Sequence, residues 1–598
     1  MKKNNSKELN RSLFYYSRIF WQMAGLKLPL FIFLCFAGGI TEGIGISLLL
    51  PLFDRTNVSR MVSSKWTAVF DGFLAKTGLD NSIQTILLCL FAAFTLKAVF
   101  TFLQNMIRIW ITSSLSRDWK RKVISLYERM DYRHFLNSNT GFFTNLITVE
   151  IERAISAFLE YAMLLSRGVS ILVYLAFSLA LSPTITAAGF LCSIFFMYLM
   201  RWSFQLSKRY SHRTSEQGAF LQSELIQMFS SFKYLKATES FSRLKEKVYH
   251  RIYQVLHLEI KKGLVRWWLR GCLELSSAWL ILGIIFYQVV IHQGSLSSVI
   301  VVVLFLHRTV QAINDFQISW QGFCSMVGGL SVFMETCKTL ENQTEKVGLT
   351  KIESFSHQIE LKGVHYRYES KPILTDIHVM IPKNQTIAFV GDSGAGKTTL
   401  IDIITGLLKP QAGEILVDGI PYPDIDLGSL RAKIGYVTQD AVIFNDTIAN
   451  NISLWKDEGM PAGPRMVKAA QLSDAYDFIM NTEHQFETRL GDRGVKISGG
   501  QKQRLAITRE IYKEAQIIIF DEATSSLDSE SESVIQKSIQ ELRSQVTMIL
   551  IAHRLSTIKN ADYIYVLDQG RIIQEGTFDF LYHQSDSKFR IICELQRL

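Results

Sequence analysis

Residues 391–399 read Gly391-Asp392-Ser393-Gly394-Ala395-Gly396-Lys397-Thr398-Thr399 and follow the apolar run TIAFV at 386–390. The spacing is GxxxxGK[ST], in which glycines let a loop wrap closely around phosphates and turn its N–H groups inward. An apolar strand before the loop, and a helix beginning at Lys397 and Thr398, would add a positive helix end to the same anion site. Lys397 is placed to reach the β- and γ-phosphates of a nucleotide, and Thr398 to ligate Mg2+. Around it, from Ile359 onward, short apolar strands such as IELKGVHYRY alternate with helical stretches, the pattern of an α/β domain.

Downstream, residues 517–522 (IIIFDE) form an apolar strand ending in two acids. Asp521 suits a Mg2+ partner, usually through water, and Glu522 is placed to polarise an attacking water as a general base. Two acids at a strand end could equally cap the next helix. Paired with a phosphate loop, they read as chemistry.

Ile497-Ser498-Gly499-Gly500-Gln501 names a family. It resembles the LSGGQ signature of ABC ATPases, with Ile in place of the first Leu. By the same resemblance Gln439 is the Q-loop residue, residues 525–528 (SSLD) with Asp528 form the D-loop, His553 is the H-loop residue, and Tyr368 is the aromatic that stacks on adenine. The resemblance implies that two such domains meet head to tail around ATP and Mg2+, each signature completing the other's site. It also implies that His553 contacts the γ-phosphate, and that Gln439 senses Mg2+ and the membrane domain. A helix N-terminus after Ser498 would aim positive charge at the γ-phosphate across that interface. With one such domain per chain, a homodimer is expected. Residues 488–494 (TRLGDRG) resemble the exporter-type TxxGERG segment, with Asp492 where Glu is usual.

The first half reads differently. A helix needs about 20 mostly apolar residues to span a bilayer, and residues 28–53, 83–107, 158–181, 185–202, 268–291 and 299–319 meet that need. Ser182 and Pro183 would join the third and fourth as a tight hairpin. Connectors 108–157 and 203–267 are rich in Lys and Arg, which places them in the cytoplasm; residues 292–298 (HQGSLSS) carry neither, as expected outside, and connector 54–82 is mixed. Both cytoplasmic connectors keep helical spacing, so the spans should continue beyond the membrane, turning near residues 137–141 and 215–218.

The predicted fold is therefore an α-helical membrane bundle of six transmembrane helices plus an α/β P-loop ABC ATPase domain. The expected division is 1–322 membrane domain, 323–355 linker and 356–598 nucleotide-binding domain. This layout resembles a type IV exporter half-transporter.

Composition agrees. The 598 residues include 48% hydrophobic residues and only ten prolines, and ten helix breakers suit long helices. A net charge of +10 is of the sign that attracts nucleic acid, but the basic residues cluster beside apolar spans and no RNA- or DNA-binding signature is present, so no nucleic-acid partner is expected. Seven scattered cysteines show no CxxC pair and no disulfide framework. The basic amino-terminal stretch has no signal-peptide core and reads as a cytoplasmic lead-in. The resemblance, with no targeting segment seen, implies a multi-pass protein of a prokaryotic inner membrane, with the ATPase in the cytoplasm and the lipid bilayer as partner.

For the cargo, charged groups within the spans include Glu42, Lys97, Arg167, Glu274, Arg308 and Asp315, with His307 beside them. Such groups face protein or a wet cavity. They could supply cationic points for an anionic head group, or simply pair internally, and at least two are expected to line a cavity. Residues 41–51 (TEGIGISLLLP) loosely resemble exporters related to lipid-linked oligosaccharide flippases. The expected function is an ATP-driven exporter or flippase of an amphipathic, lipid-like substrate. The alternatives are a peptide or multidrug exporter, with no peptidase domain ahead of the first span to favour a leader-cleaving type, and an ATP-gated channel or regulatory membrane protein.

Overall fold

In the computed structural model, the residues described are 13–55, 72, 82–138, 140–183, 186–187, 201–286, 296–345, 348–369, 371–457, 459–522, 529–543, 545–551, 558–584 and 587–595. They fall into two compact units, Met1–Glu128 with Asn139–Asn342, and Arg129–Ser138 with Gln343–Leu598.

The first unit is helical. It begins with α1 (Leu13–Ala24), α2 (Lys27–Ser47) and α3 (Leu49–Arg55), then α4 (Ile83–Glu128). The pause at Leu48 has a local cause, since Pro51 has no N–H to return to Ser47. The short helix α5 (Tyr132–Leu136) belongs to the second unit. Next come α6 (Thr140–Asn145), a π-turn at Leu146–Glu150, and α7 (Ile151–Leu181), then α8 (Arg201–Ser230), α9 (Phe232–Ala237), α10 (Phe241–Phe286) and α11 (Leu296–Asn342). Among the described residues, three helices are long and apolar enough to cross a membrane: Lys27–Leu52, Ile83–Glu128 and Phe142–Leu181. Most of the expected span 185–202, the end of span 268–291, and most of connectors 54–82 and 292–298 lie outside the described residues.

Helix lengths explain the long connectors. At 1.5 Å per residue, the 46 residues of α4 extend about 69 Å, against about 30 Å of hydrocarbon. The helices therefore do run on past the bilayer. The first turn falls where it was expected, with Asn137 closing α5. The second does not. Helix α8 passes straight through Ser215 and Gly218, and the chain turns instead around α9, between Ser231 and Ser240, with Glu239 left-handed at φ 53°. One interior glycine costs a helix only about 1 kcal/mol. Arg251 on α10 repays it by bonding Gln217 at 2.6 Å and Glu224 at 3.3 Å, which fastens both sides of Gly218.

The glycines of α2 in and beside residues 41–51 also have a packing role. A Cβ on Gly43 would collide with the ring of Phe177, and one on Gly39 would press on Val173 at 3.3 Å. Small residues here let α2 approach α7 closely. Helix α11 runs unbroken to Asn342, through the first part of residues 323–355.

The second unit holds two sheets. An antiparallel sheet has the order β2-β1-β4-β5, formed by β1 (Gln358–Tyr368), β2 (Lys371–Pro382), β4 (Ala412–Val417) and β5 (Ile420–Pro421). The larger sheet has the order β10-β9-β3-β8-β7-β6, from β3 (Thr386–Gly391), β6 (Ile434–Val437), β7 (Ile517–Asp521), β8 (Thr547–Ile551), β9 (Tyr563–Asp568) and β10 (Arg571–Gly576). All but β10 run parallel. Strands β3 and β8 are buried at every position, as continuous apolar runs covered on both faces must be. Besides α5, the helices of this unit among the described residues are α12 (Lys397–Ile404), α13 (Leu427–Arg431), α14 (Ile448–Ser453), α15 (Pro464–Leu472), α16 (Tyr476–Met480), α17 (Gly499–Tyr512), α18 (Ser529–Leu542), α19 (Phe578–His583) and α20 (Lys588–Leu595).

Candidate functional site: a nucleotide site at the ends of parallel strands

Open α/β sheets bind ligands beyond the carboxyl ends of their parallel strands. There, β3 delivers the phosphate loop and β7 delivers Asp521, with β8 between them. Gly394 and Gly396 hold φ of 83° and 103°, values that only glycine adopts without strain. A Cβ on Gly396 would also strike Leu374 at 2.8 Å. Helix α12 starts at Lys397, so its free N–H groups face the loop.

Lys397 is buried, and its Nζ donates to the carbonyls of Gly391 at 2.8 Å and Asp392 at 2.9 Å. Burial pulls its pKa down, opposed by the charges of Glu522, Asp392 and Asp521. A phosphate here would supply the negative charge that a buried ammonium needs. Glu522 follows the end of β7 in a left-handed conformation, φ 50°, held by its N–H to the carbonyl of Ile551 at 3.1 Å. A non-glycine residue in that region is uncommon and marks a constrained backbone.

The signature is a helix start. Ser498 caps α17 by accepting from the N–H of Gln501 at 3.3 Å, and Gln501 returns the bond to the N–H of Ser498 at 3.0 Å. Gly499 is exposed and Gly500 buried. The same helix grips the segment carrying Gln439: buried Gln503 donates to the carbonyl of Thr438 at 3.1 Å. Arg509 donates to the carbonyls of Asn451 and Val442 at 2.8 and 2.9 Å. Residues 488–490 pair with the stretch ahead of α14, Thr447 bridging to Arg489, and exposed Asp492 begins a short 3-10 turn.

Tyr368 ends β1 with its ring edge-on to Tyr366, centroids 5.1 Å apart. Asp528 and His553 lie outside the described residues. Ser393, Ala395, Thr398 and Thr399 stand in the loop and the first turn of α12, Ala395 buried.

The description "ABC transporter transmembrane region" matches residues 30–313 and "ABC transporter" matches residues 374–525. The heterocyst differentiation ATP-binding protein HepA of Nostoc sp. is 30% identical over 550 residues, spanning 91% of this chain and 90% of that one. The chain belongs to the ABC transporter family. An ATP-dependent lipid A-core flippase of Syntrophus aciditrophicus is 28% identical to this transporter over 571 residues, 90% of this chain and 92% of the flippase. A bacterial Atm1-family ABC exporter solved with ATP bound shares the fold, with a TM-score of 0.75 at 23% identity over 97% and 99% of the two chains. The transporter is thus a multi-pass membrane protein whose ATPase domain binds ATP and couples its hydrolysis to transport.

Three features escaped the sequence reading. Tyr436 donates its hydroxyl to Asp521, burial and that carboxylate both pushing its pKa up. Asp402, one turn along α12, has a carboxyl raised to about 6 by burial and then by Asp521. The loop Arg129–Ser138 is built into the ATPase unit, with Asp131 N–H bonding the carbonyl of Gln343 at 2.8 Å and Tyr132 packed on the core beside Tyr368 and Tyr436. Nothing in the spacing of these residues points to a partner so distant in sequence.

Proposed function

We propose that two copies of this chain sandwich two ATP molecules and use closure and hydrolysis to move an amphipathic substrate with an anionic head group across the membrane. In this reading the loop of Gly391, Asp392, Ser393, Gly394, Ala395, Gly396, Lys397, Thr398 and Thr399 holds the phosphates, Asp392 through its backbone N–H and not its carboxylate, and Tyr368 stacks on adenine. Ser498, Gly499, Gly500, Gln501 and Asp528 complete the site of the partner. Glu522 is the general base, and His553 and Gln439 assist it.

Hard oxygen donors suit Mg2+, and Thr398, Asp521 and Gln439 supply such oxygens. Asp521 is already oriented by Tyr436. When bound, the ion would neutralise phosphate charge.

The observation that carries the cargo reading is the setting of Glu42. Its buried carboxylate joins four helices: Lys97 at 2.8 Å, Arg308 at 3.5 Å, and the Tyr174 hydroxyl at 2.5 Å. Arg167 pairs with Asp315 at 3.1 Å nearby in sequence on α7 and α11. Lys97 and Arg308 thus share one carboxylate, leaving positive charge in excess, and both keep part of their surface open. Ions in a bilayer are kept for such pathways. In liposomes, anionic amphiphiles should stimulate ATP hydrolysis and zwitterionic ones of equal chain length should not. Equal stimulation by both, or by uncharged drugs alone, would favour the multidrug alternative.

A further inference from the structure

The carboxy-terminal helix reaches the phosphate loop. Lys588, the first residue of α20, places its Nζ 2.7 Å from Asp568 and 3.0 Å from Asp392. Asp568 ends β9 and Asp392 follows the last residue of β3. These strands are parallel neighbours, with Gly391 opposite Leu567. Two carboxylates therefore stand side by side at the strand ends where phosphates are expected, with one ammonium between them.

The position of Lys588 is set by packing. Phe589 and Cys593 are fully buried in the core that contains Ala388, Val390 and Val566, beneath the same strands. The Phe589 N–H bonds Gln574 on β10 at 3.2 Å, and Ser587 caps the helix by accepting from Arg590 N–H at 3.3 Å. The docked helix fixes the backbone from which the Lys588 side chain reaches, and the two carboxylates hold its ammonium at the strand ends. Its two carboxylate partners hold it charged.

Asp392 is an awkward residue for a phosphate loop. Its carboxylate is 64% exposed and its charge is felt at Lys397 within the loop. Unbalanced, it would repel a triphosphate at short range.

We propose that Lys588 is a positioning residue of the ATP site, cancelling the charge of Asp392 so that the loop receives phosphate. The carboxy-terminal helix is then part of the nucleotide site and not merely a cover for the sheet. This inference rests on residues 391–399 being the phosphate site.

The test is equilibrium binding of the fluorescent analogue mant-ATP to the full-length transporter without Mg2+, so that turnover plays no part. Lys588→Met should weaken binding about five- to tenfold at low salt, a gap that narrows near 0.5 M salt as screening sets in. Adding Asp392→Asn to Lys588→Met should return affinity to within about twofold of the original, and Lys588→Arg should retain it. A helix that merely packs would not be rescued by a change at Asp392. Should Lys588→Met fail to purify, the same pair of measurements is made in the Asp568→Asn background, where Asp392 alone loses its cation. Unchanged affinity in Lys588→Met, or a double variant no better than the single, overturns the proposal. Lys397→Ala run alongside separates the two ideas: if it too leaves binding unchanged, the phosphate-site reading itself is wrong.

Discussion

The Tyr436 hydroxyl donates to Asp521 Oδ2 at 3.1 Å, across the neighbouring parallel strands β6 and β7. A bond to a carboxylate is worth about 1.5–3 kcal/mol, and this one fixes the acid proposed to hold the metal. Tyr436→Phe should therefore raise the Mg2+ concentration needed for half-maximal hydrolysis by about three- to tenfold, leaving metal-free mant-ATP binding as it was. A Mg2+ titration of ATPase activity checks it; an unmoved midpoint would detach Tyr436 from the metal site.

Glu522→Gln keeps the shape and loses the base. Hydrolysis should fall by about 10²–10⁴ while ATP binding persists. Trapped dimers should accumulate with ATP and be visible by size-exclusion chromatography. Turnover near the original rate would reject Glu522 as the base.

Asp402 makes stability depend on pH. Its folded carboxyl titrates near about 6, above the ordinary value of about 3.9. The folded state thus holds the proton more tightly, so stability is greatest below the unfolded value, declines as pH rises toward 6, and is level above it. Asp402→Asn should raise the thermal midpoint at pH 7.5 by about 2 °C and leave it unchanged at pH 4. The two scans, in the same detergent, decide it. An equal shift at both pH values would assign the effect to packing.

Glu42→Leu strands Lys97 and Arg308 without their shared carboxylate. Removing one member of a buried ion pair costs about 3–5 kcal/mol, less where the partners keep some exposure, as these do. The purified variant should show a clearly lower thermal midpoint, with Tyr174→Phe intermediate. No loss in either would mean that the cluster does not join the helices.

Gly218→Ala separates helix from turn in the second cytoplasmic connector. No atom lies within 4 Å of an added Cβ, and alanine in a helix interior gains about 1 kcal/mol over glycine. A slightly raised midpoint is expected; a loss would return the turn to residues 215–218.

Much was legible because it is written in adjacent residues. The phosphate loop, the IIIFDE strand and the signature are each carried within nine residues, and each forms the strand end or helix start that its pattern requires. The turn near residues 215–218 was misplaced because a lone glycine is a weak breaker, and its cost is offset by Arg251 from a helix 33 residues further along. The ambiguity of the intramembrane charges was likewise one of distance. No local pattern could choose Lys97, Arg308 and Tyr174 as the neighbours of Glu42.

The two halves and their order are readable from the residues alone, since a bilayer demands length and apolarity and a phosphate loop demands glycines at fixed spacing. Which charges stand together emerges from packing: Glu42 among four helices, Tyr436 on Asp521, Lys588 between Asp392 and Asp568. The reason is physical. Helix periodicity and loop conformation are short-range properties of the chain, whereas Coulomb and hydrogen-bond partners depend on separations that only packing sets.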